Sequence, residues 1–205
     1  MFAESKGFES GEYFVMVILM KTLTTLATVL FISLLSSPSW SEAVNMRDLV
    51  ERNDLWYKQF SDVPFTGEVS GLANGKIKNG KKNGPWKWYW QNGQLRFLSS
   101  YKNGIDHGIF EDYSESGELK SRMSFKDGLL DGISEHYFSN GKLKQKVNYK
   151  DHNRDGILET YHENGQLKYR WNYKDGKMHG LQKDYAEDGS LSFSIKYENG
   201  VYVPD

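Results

Sequence analysis

A 24-residue period runs through the second two-thirds of the chain, and it limits the possible folds more than any other feature. Gly84, Gly108, Gly132, Gly156 and Gly180 keep that step, as do Gly93, Gly117, Gly141, Gly165 and Gly189. Leu95, Leu119, Leu143, Leu167 and Leu191 follow it, with Tyr89, Tyr113, Tyr137, Tyr161 and Tyr185. A further aromatic column is Tyr101, Phe125, Tyr149, Tyr173 and Tyr197. Five registers without an insertion define a repeat array, in which each unit packs chiefly on its neighbours.

Within a unit the second half alternates with period two. Leu143, Gln145, Val147 and Tyr149 fall on one side, against Lys144, Lys146, Asn148 and Lys150. The next copy sets Leu167, Tyr169, Trp171 and Tyr173 against Lys168, Arg170, Asn172 and Lys174. This is a strand with one buried face. The shorter first half, such as Ile133 to Tyr137, reads as a strand too. Asn92-Gly93, Ser116-Gly117, Asn140-Gly141, Asn164-Gly165 and Asp188-Gly189 join the halves as hairpin turns. A second turn closes each unit at Asn103-Gly104, Asp127-Gly128, Asp175-Gly176 and Asn199-Gly200. One copy has Asp151-His152 instead, which predicts a strained or altered turn. Upstream, Leu49 to Arg52 and Leu55 to Gln59 flank Asn53-Asp54 as a hairpin. Residues 42–64 are therefore expected to cap the array, and residues 65–205 to form it.

Composition narrows the function. A net charge of −1 supplies no bulk attraction to nucleic acid, and 38% hydrophobic with 26% charged residues is the balance of a folded chain. The absence of Cys excludes disulfides, thiol catalysis and Cys-ligated metal. Residues 1–41 read as a start codon assigned too early plus a signal peptide. Met20-Lys21 gives the positive end, Leu23 to Leu35 the apolar stretch, and Ser36 to Ser41 a small-residue exit. Cleavage is expected between Ser41 and Glu42, placing the body in the periplasm or outside the cell; an uncleaved anchor over residues 13–35 is the alternative.

The segments YKNGIDHGIFEDYSESGEL (Tyr101 to Leu119), YKDGKMHGLQKDYAEDGSL (Tyr173 to Leu191) and NGKKNGPWKWYWQNGQL (Asn79 to Leu95) carry a recognisable pattern. It is aromatic-Lys-Asn/Asp-Gly, three residues, Gly, a strand ending in Tyr, then Asn/Asp-Gly-x-Leu. The chain thereby resembles the MORN repeats in their bacterial variant form. That resemblance implies an all-β fold, one elongated single-layer antiparallel sheet of tandem 24-residue hairpins. It also implies an antitoxin-like role of the YwqK type.

No HExxH, phosphate loop or Gly-x-Ser-x-Gly occurs, and no catalytic, metal or cofactor site is expected. His107 and His179 share a repeat position with Asn83, Asp131 and Asp155, which marks a polar turn position rather than a metal site. Glu111, Glu135 and Glu159 form a column suited to cross-strand ion pairs. Two surfaces are candidates for a partner. The aromatic columns, with Tyr113, Tyr137, Tyr161, Tyr185 and Trp171, suit a protein partner on a non-catalytic scaffold. Lys120, Arg122, Lys144, Lys146, Lys168 and Arg170, expected to project from one face, suit an anionic lipid or cell-wall polymer.

Overall fold

The computed structural model describes residues 43–204; the signal segment, its cleavage point and the 13–35 anchor lie outside them. Five consecutive hairpins make up the array. Their outgoing strands are Lys81–Tyr89, Gly108–Tyr113, Leu129–Tyr137, Asn153–Tyr161 and Gly180–Tyr185. Their return strands are Leu95–Lys102, Leu119–Lys126, Leu143–Lys150, Leu167–Lys174 and Leu191–Glu198. With four short strands at the ends, and the two-residue strands Ile105–Asp106 and Lys177–Met178 within the array, they build one 16-stranded sheet. Pairing is antiparallel throughout, save that Val44–Asn45 lies parallel to Gly67–Ser70. The only helix among the described residues is a 3-10 turn at Met46–Asp48. The sequence expectation of an all-β, single-layer hairpin array is what the chain adopts.

The two most regular columns of the sequence are cross-strand partners. Gly84 stands opposite Tyr101, Gly108 opposite Phe125, Gly132 opposite Tyr149, Gly156 opposite Tyr173 and Gly180 opposite Tyr197. Each ring lies beside a strand position without a side chain, the usual way an aromatic compensates a glycine in a sheet. Gly132 and Gly156 need to be glycine for two reasons. Their φ is +107 and +106, and a Cβ would come within 3.1 Å of the Cβ of Ser124 or Asn148.

The unit-closing turns place both central residues in the left-handed region, the twist that suits a two-residue hairpin. Asn103 and Gly104 sit at φ +54 and +85, Asp127 and Gly128 at +49 and +84. Asp151-His152 does not alter this turn. His152 takes φ +67, and its N–H donates to the Leu130 carbonyl at 2.9 Å, as Gly128 does to Asp106. The imidazole adds a bond that glycine lacks, Nδ1 accepting from the Leu130 N–H at 3.1 Å.

The upstream segment packs against the first strands of the array. Leu49–Arg52 and Leu55–Lys58 pair as a separate hairpin. Leu49 joins Phe65, Val69, Ala73, Ile77 and Trp86 in a buried core, with Val44, Met46 and Trp56 against it. Trp86 is wholly buried, and its indole N–H donates to the Lys76 carbonyl at 3.1 Å. The Lys82 ammonium lies over four rings, those of Trp56, Trp86, Trp88 and Tyr101, at 5.1 to 5.6 Å from their centres. Burial lowers its pKa, while Glu51 and Asp106 act against that. A cation attracted to rings from both the hairpin and the first repeat ties the two together.

Candidate binding faces

Neighbours along a strand point to opposite sides of the sheet, and cross-strand partners share a side. The registers therefore sort the array into two faces. One carries the row Lys87, Leu98, Glu111, Arg122, Glu135, Lys146, Glu159, Arg170, Lys183, each the cross-strand partner of the next. This is the ladder face. The other carries Trp86, Trp88, Phe97, Phe110, Val147, Leu158, Tyr169 and Trp171, and is the ring face.

The ladder neutralises itself through its middle. Arg122 holds Glu111 through Nε and Nη2, both at 2.8 Å, and Arg170 Nη2 holds Glu159 at 2.7 Å. The tyrosine two residues after each glutamate donates its hydroxyl to it: Tyr113 to Glu111 at 2.7 Å, Tyr137 to Glu135 at 2.9 Å, Tyr161 to Glu159 at 2.8 Å. Burial, and then the bonded carboxylate with its charge, pushes the Tyr113 and Tyr161 hydroxyls up to about 12. Burial alone would raise Glu159, but the Tyr161 and Arg170 hydrogen bonds prevail and hold it below the usual carboxylate range. Beside the ladder runs a file of exposed aliphatics: Ile109, Ile133, Ile157 and Leu181, 44, 43, 42 and 48% exposed.

The six basic candidates do not share a face, and a β-bulge is the reason. Tyr137 pairs with Leu143 but His136 with Gln145, so Lys144 is an extra residue on the return strand. The same irregularity sits at Lys120, and at Lys168 between the partners of Tyr161 and Thr160. Leu143 and Gln145, expected together, are thereby parted to opposite faces. The extra lysine turns to the ring face. Lys120 reaches Asp112 at 2.8 Å, and Lys168 lies over the Tyr169 ring at 5.1 Å. Arg122, Lys146 and Arg170 stay on the ladder. The aromatic candidates divide likewise: Tyr113, Tyr137, Tyr161 and Tyr185 belong to the ladder face. Trp171, whose indole donates to Asp184 at 2.8 Å, belongs to the ring face.

The ring face holds nearly all the buried residues, including Trp86, Ser99, Ser121, Ser134, Val147, Leu158 and Gln182. Neighbours on the same face cover them, as Tyr149, Trp171 and Met178 pack on Val147, Leu158 and Tyr173. One row of this face changes character from strand to strand. Trp88, Phe97, Asp112, Ser121, His136, Gln145, Thr160, Tyr169, Asp184 and Phe193 are successive cross-strand partners. Its five central members are small or polar, and a depression of about 590 Å³ opens over them.

His107 and His179 act in turns. Each Nδ1 accepts the N–H of the next closing turn, from Asp127 and Asn199, both at 3.4 Å. Asn83 and Asp155 accept the corresponding N–H of Asn103 and Asp175 through a side-chain oxygen. The position asks for an acceptor at that reach, which all three residue types supply. Among the described residues no three His, Asp or Glu side chains gather as metal ligands would.

Fold and faces together define a hairpin-repeat protein. The MORN repeat variant profile matches residues 82–103, 106–127, 130–151, 154–175 and 178–200, more than half of the chain and one hairpin per match. The chain belongs to the MORN repeat variant family. Among solved structures it is similar to a chain in the crystal structure of accessory secretory protein 1,2 and 3 in Streptococcus pneumoniae. Identity is 17% and the TM-score 0.30, over 61% of this chain and 22% of that one. No curated protein matches the sequence.

Proposed function

We propose that the protein is a non-catalytic repeat scaffold of the cell envelope that binds a protein partner across its ladder face. The file of half-exposed Ile109, Ile133, Ile157 and Leu181 carries this reading. Sheet geometry sets these residues at intervals of about 9.6 Å, two strand spacings apart. On the far side of the ladder row, four residues further along each outgoing strand, lie Tyr113, Tyr137, Tyr161 and Tyr185. Apolar contacts near tyrosine and arginine, with Arg122 and Arg170 already paired, have the make-up of a protein interface. Two of the row's cations are withdrawn from an anionic surface, because Glu111 and Glu159 occupy Arg122 and Arg170. An antitoxin-like role would present the same face to a toxin protein.

Affinity capture from the organism's own envelope fraction, comparing the mature chain with an I109S/I133S/I157S variant, tests the proposal. The wild type is expected to retain a partner that the variant loses, with binding little changed by salt. Equal capture by both proteins, or a partner released by moderate salt, rejects it. Mass spectrometry of the native protein tests the location: a chain starting at Glu42 is expected, and an intact residue 1–41 segment on a cytoplasmic protein rejects export.

A further inference from the structure

We propose that the depression on the ring face binds an acidic sugar, a pyranose with several hydroxyls and one carboxylate. This site is separate from the ladder-face interface and does not depend on it.

The repeats themselves show how the depression arises. The central row runs Asp112, Ser121, His136, Gln145, Thr160, while the same row begins with Trp88 and Phe97 and continues past the centre with Tyr169. Phe97, Ser121, Gln145 and Tyr169 occupy one repeat position, 24 residues apart. Where other units place a ring, two successive units place a short polar side chain. The missing volume is the depression, and about 590 Å³ lies within the range of small-ligand sites.

Its lining selects the ligand. Five strands supply a carboxylate, two hydroxyls, an imidazole and a carboxamide, a mix of donors and acceptors suited to a polyol rather than an apolar molecule. Gln145 Nε2 donates to Thr160 Oγ1 over 3.4 Å, leaving the Gln145 oxygen and the Thr160 proton for a ligand. His136 makes no side-chain hydrogen bond among the described residues. The bulges set two ammonium groups on the rim. Lys120 is paired with Asp112, whereas Lys144 has no carboxylate within salt-bridge distance among the described residues. That leaves one unmatched positive charge, the complement of one carboxylate. A phosphate would call for an arginine fork or a nest of backbone N–H groups. Arg122 and Arg170 are on the other face, and the strand N–H groups of this row are taken up in the sheet.

Calorimetric titration of the full chain with tetragalacturonate, a neutral galactose tetramer and inorganic phosphate tests the site. Tetragalacturonate is expected to bind at least about tenfold more tightly than either control. Gln145→Tyr and Ser121→Phe restore residues that other units carry there, so both variants are expected to keep the strand spectrum of the wild type. Both should weaken tetragalacturonate about tenfold or more. Lys144→Gln is expected to remove the preference for the acidic over the neutral sugar. The proposal falls if tetragalacturonate does not bind, if phosphate binds as well, or if folded Gln145→Tyr binds it undiminished. Capture of the ladder-face partner should be unaffected by these variants, so either proposal can fail alone.

Discussion

The same ten strands make both faces, yet through the middle units the ladder row repeats its glutamate while one row of the ring face, from Asp112 to Thr160, departs from the residues other units carry. On the ladder each glutamate is held by its own tyrosine, and two of the three also by an arginine on the next strand. Replacing one member leaves a partly buried charge or hydroxyl unpaired, so such a set changes only as a group. On the ring face the neighbours are mostly filler for one another. Val147 can stand where another unit has Trp171, provided the side chains around it close the space. Repetition thus marks mutual dependence, and the break in repetition over Asp112 to Thr160 marks the part released from it.

The two faces should answer differently to substitution. The largest effect is expected at the capped end of the ring face, where Trp86→Ala removes a wholly buried indole and should lower unfolding free energy by about 4 kcal/mol. Chemical denaturation measures it, and a loss within experimental error would show that the cap does not depend on this side chain. Next, Leu158→Ala on the ring face should cost about 2 kcal/mol. Ile133→Ala on the ladder face should cost less than about 0.5 kcal/mol, because its side chain already meets water. Equal losses at the two sites would erase the distinction drawn here.

The ladder should instead be sensitive to pH. The folded hydroxyls of Tyr113 and Tyr161 titrate at about 12, above the value of about 10 for an exposed tyrosine. The folded chain holds these protons more tightly than the unfolded one. Their contribution is therefore whole below pH ~10 and lost as pH rises towards ~12. Y113F/Y161F should flatten that part of the stability curve, measured by urea midpoints at about pH 9 and pH 11.5. Glu159 acts in the opposite sense. Its folded value lies below the unfolded one, so its contribution is present above the usual carboxylate range and fades as pH falls through the folded value. Glu159→Gln should reduce the acid sensitivity, the smaller of the two pH effects.

Much of this could be read from residue spacing. The glycine and aromatic columns gave the hairpins, and the glutamate column gave cross-strand ion pairing, but not Arg122 and Arg170, set down for an anionic partner, as its partners. The bulge at Lys120, Lys144 and Lys168 could not be read in the same way. A stretch such as Leu-Lys-Gln-Lys alternates whether or not one residue is extra, and only the partner strand shows that Leu143 and Gln145 face apart. The depression was hidden for the same reason, since its members belong to five strands and become a row only through register. Lys82 left a fainter signal. A lysine four and six residues before Trp86 and Trp88 is unremarkable until Trp56 and Tyr101 are folded around it.

The glycine–aromatic pairing has a consequence for how such a gene can change. Each unit closes its own register, at Gly132 with Tyr149 in one hairpin and at Gly156 with Tyr173 in the next. A single codon gained within a strand would exchange the two faces from that point to the next turn. A whole unit gained leaves every pair intact and lengthens the protein by about 9.6 Å. Length in this chain is consequently a counted quantity, adjusted by duplication or loss of entire units, and the reach of its two surfaces is inherited in the same steps.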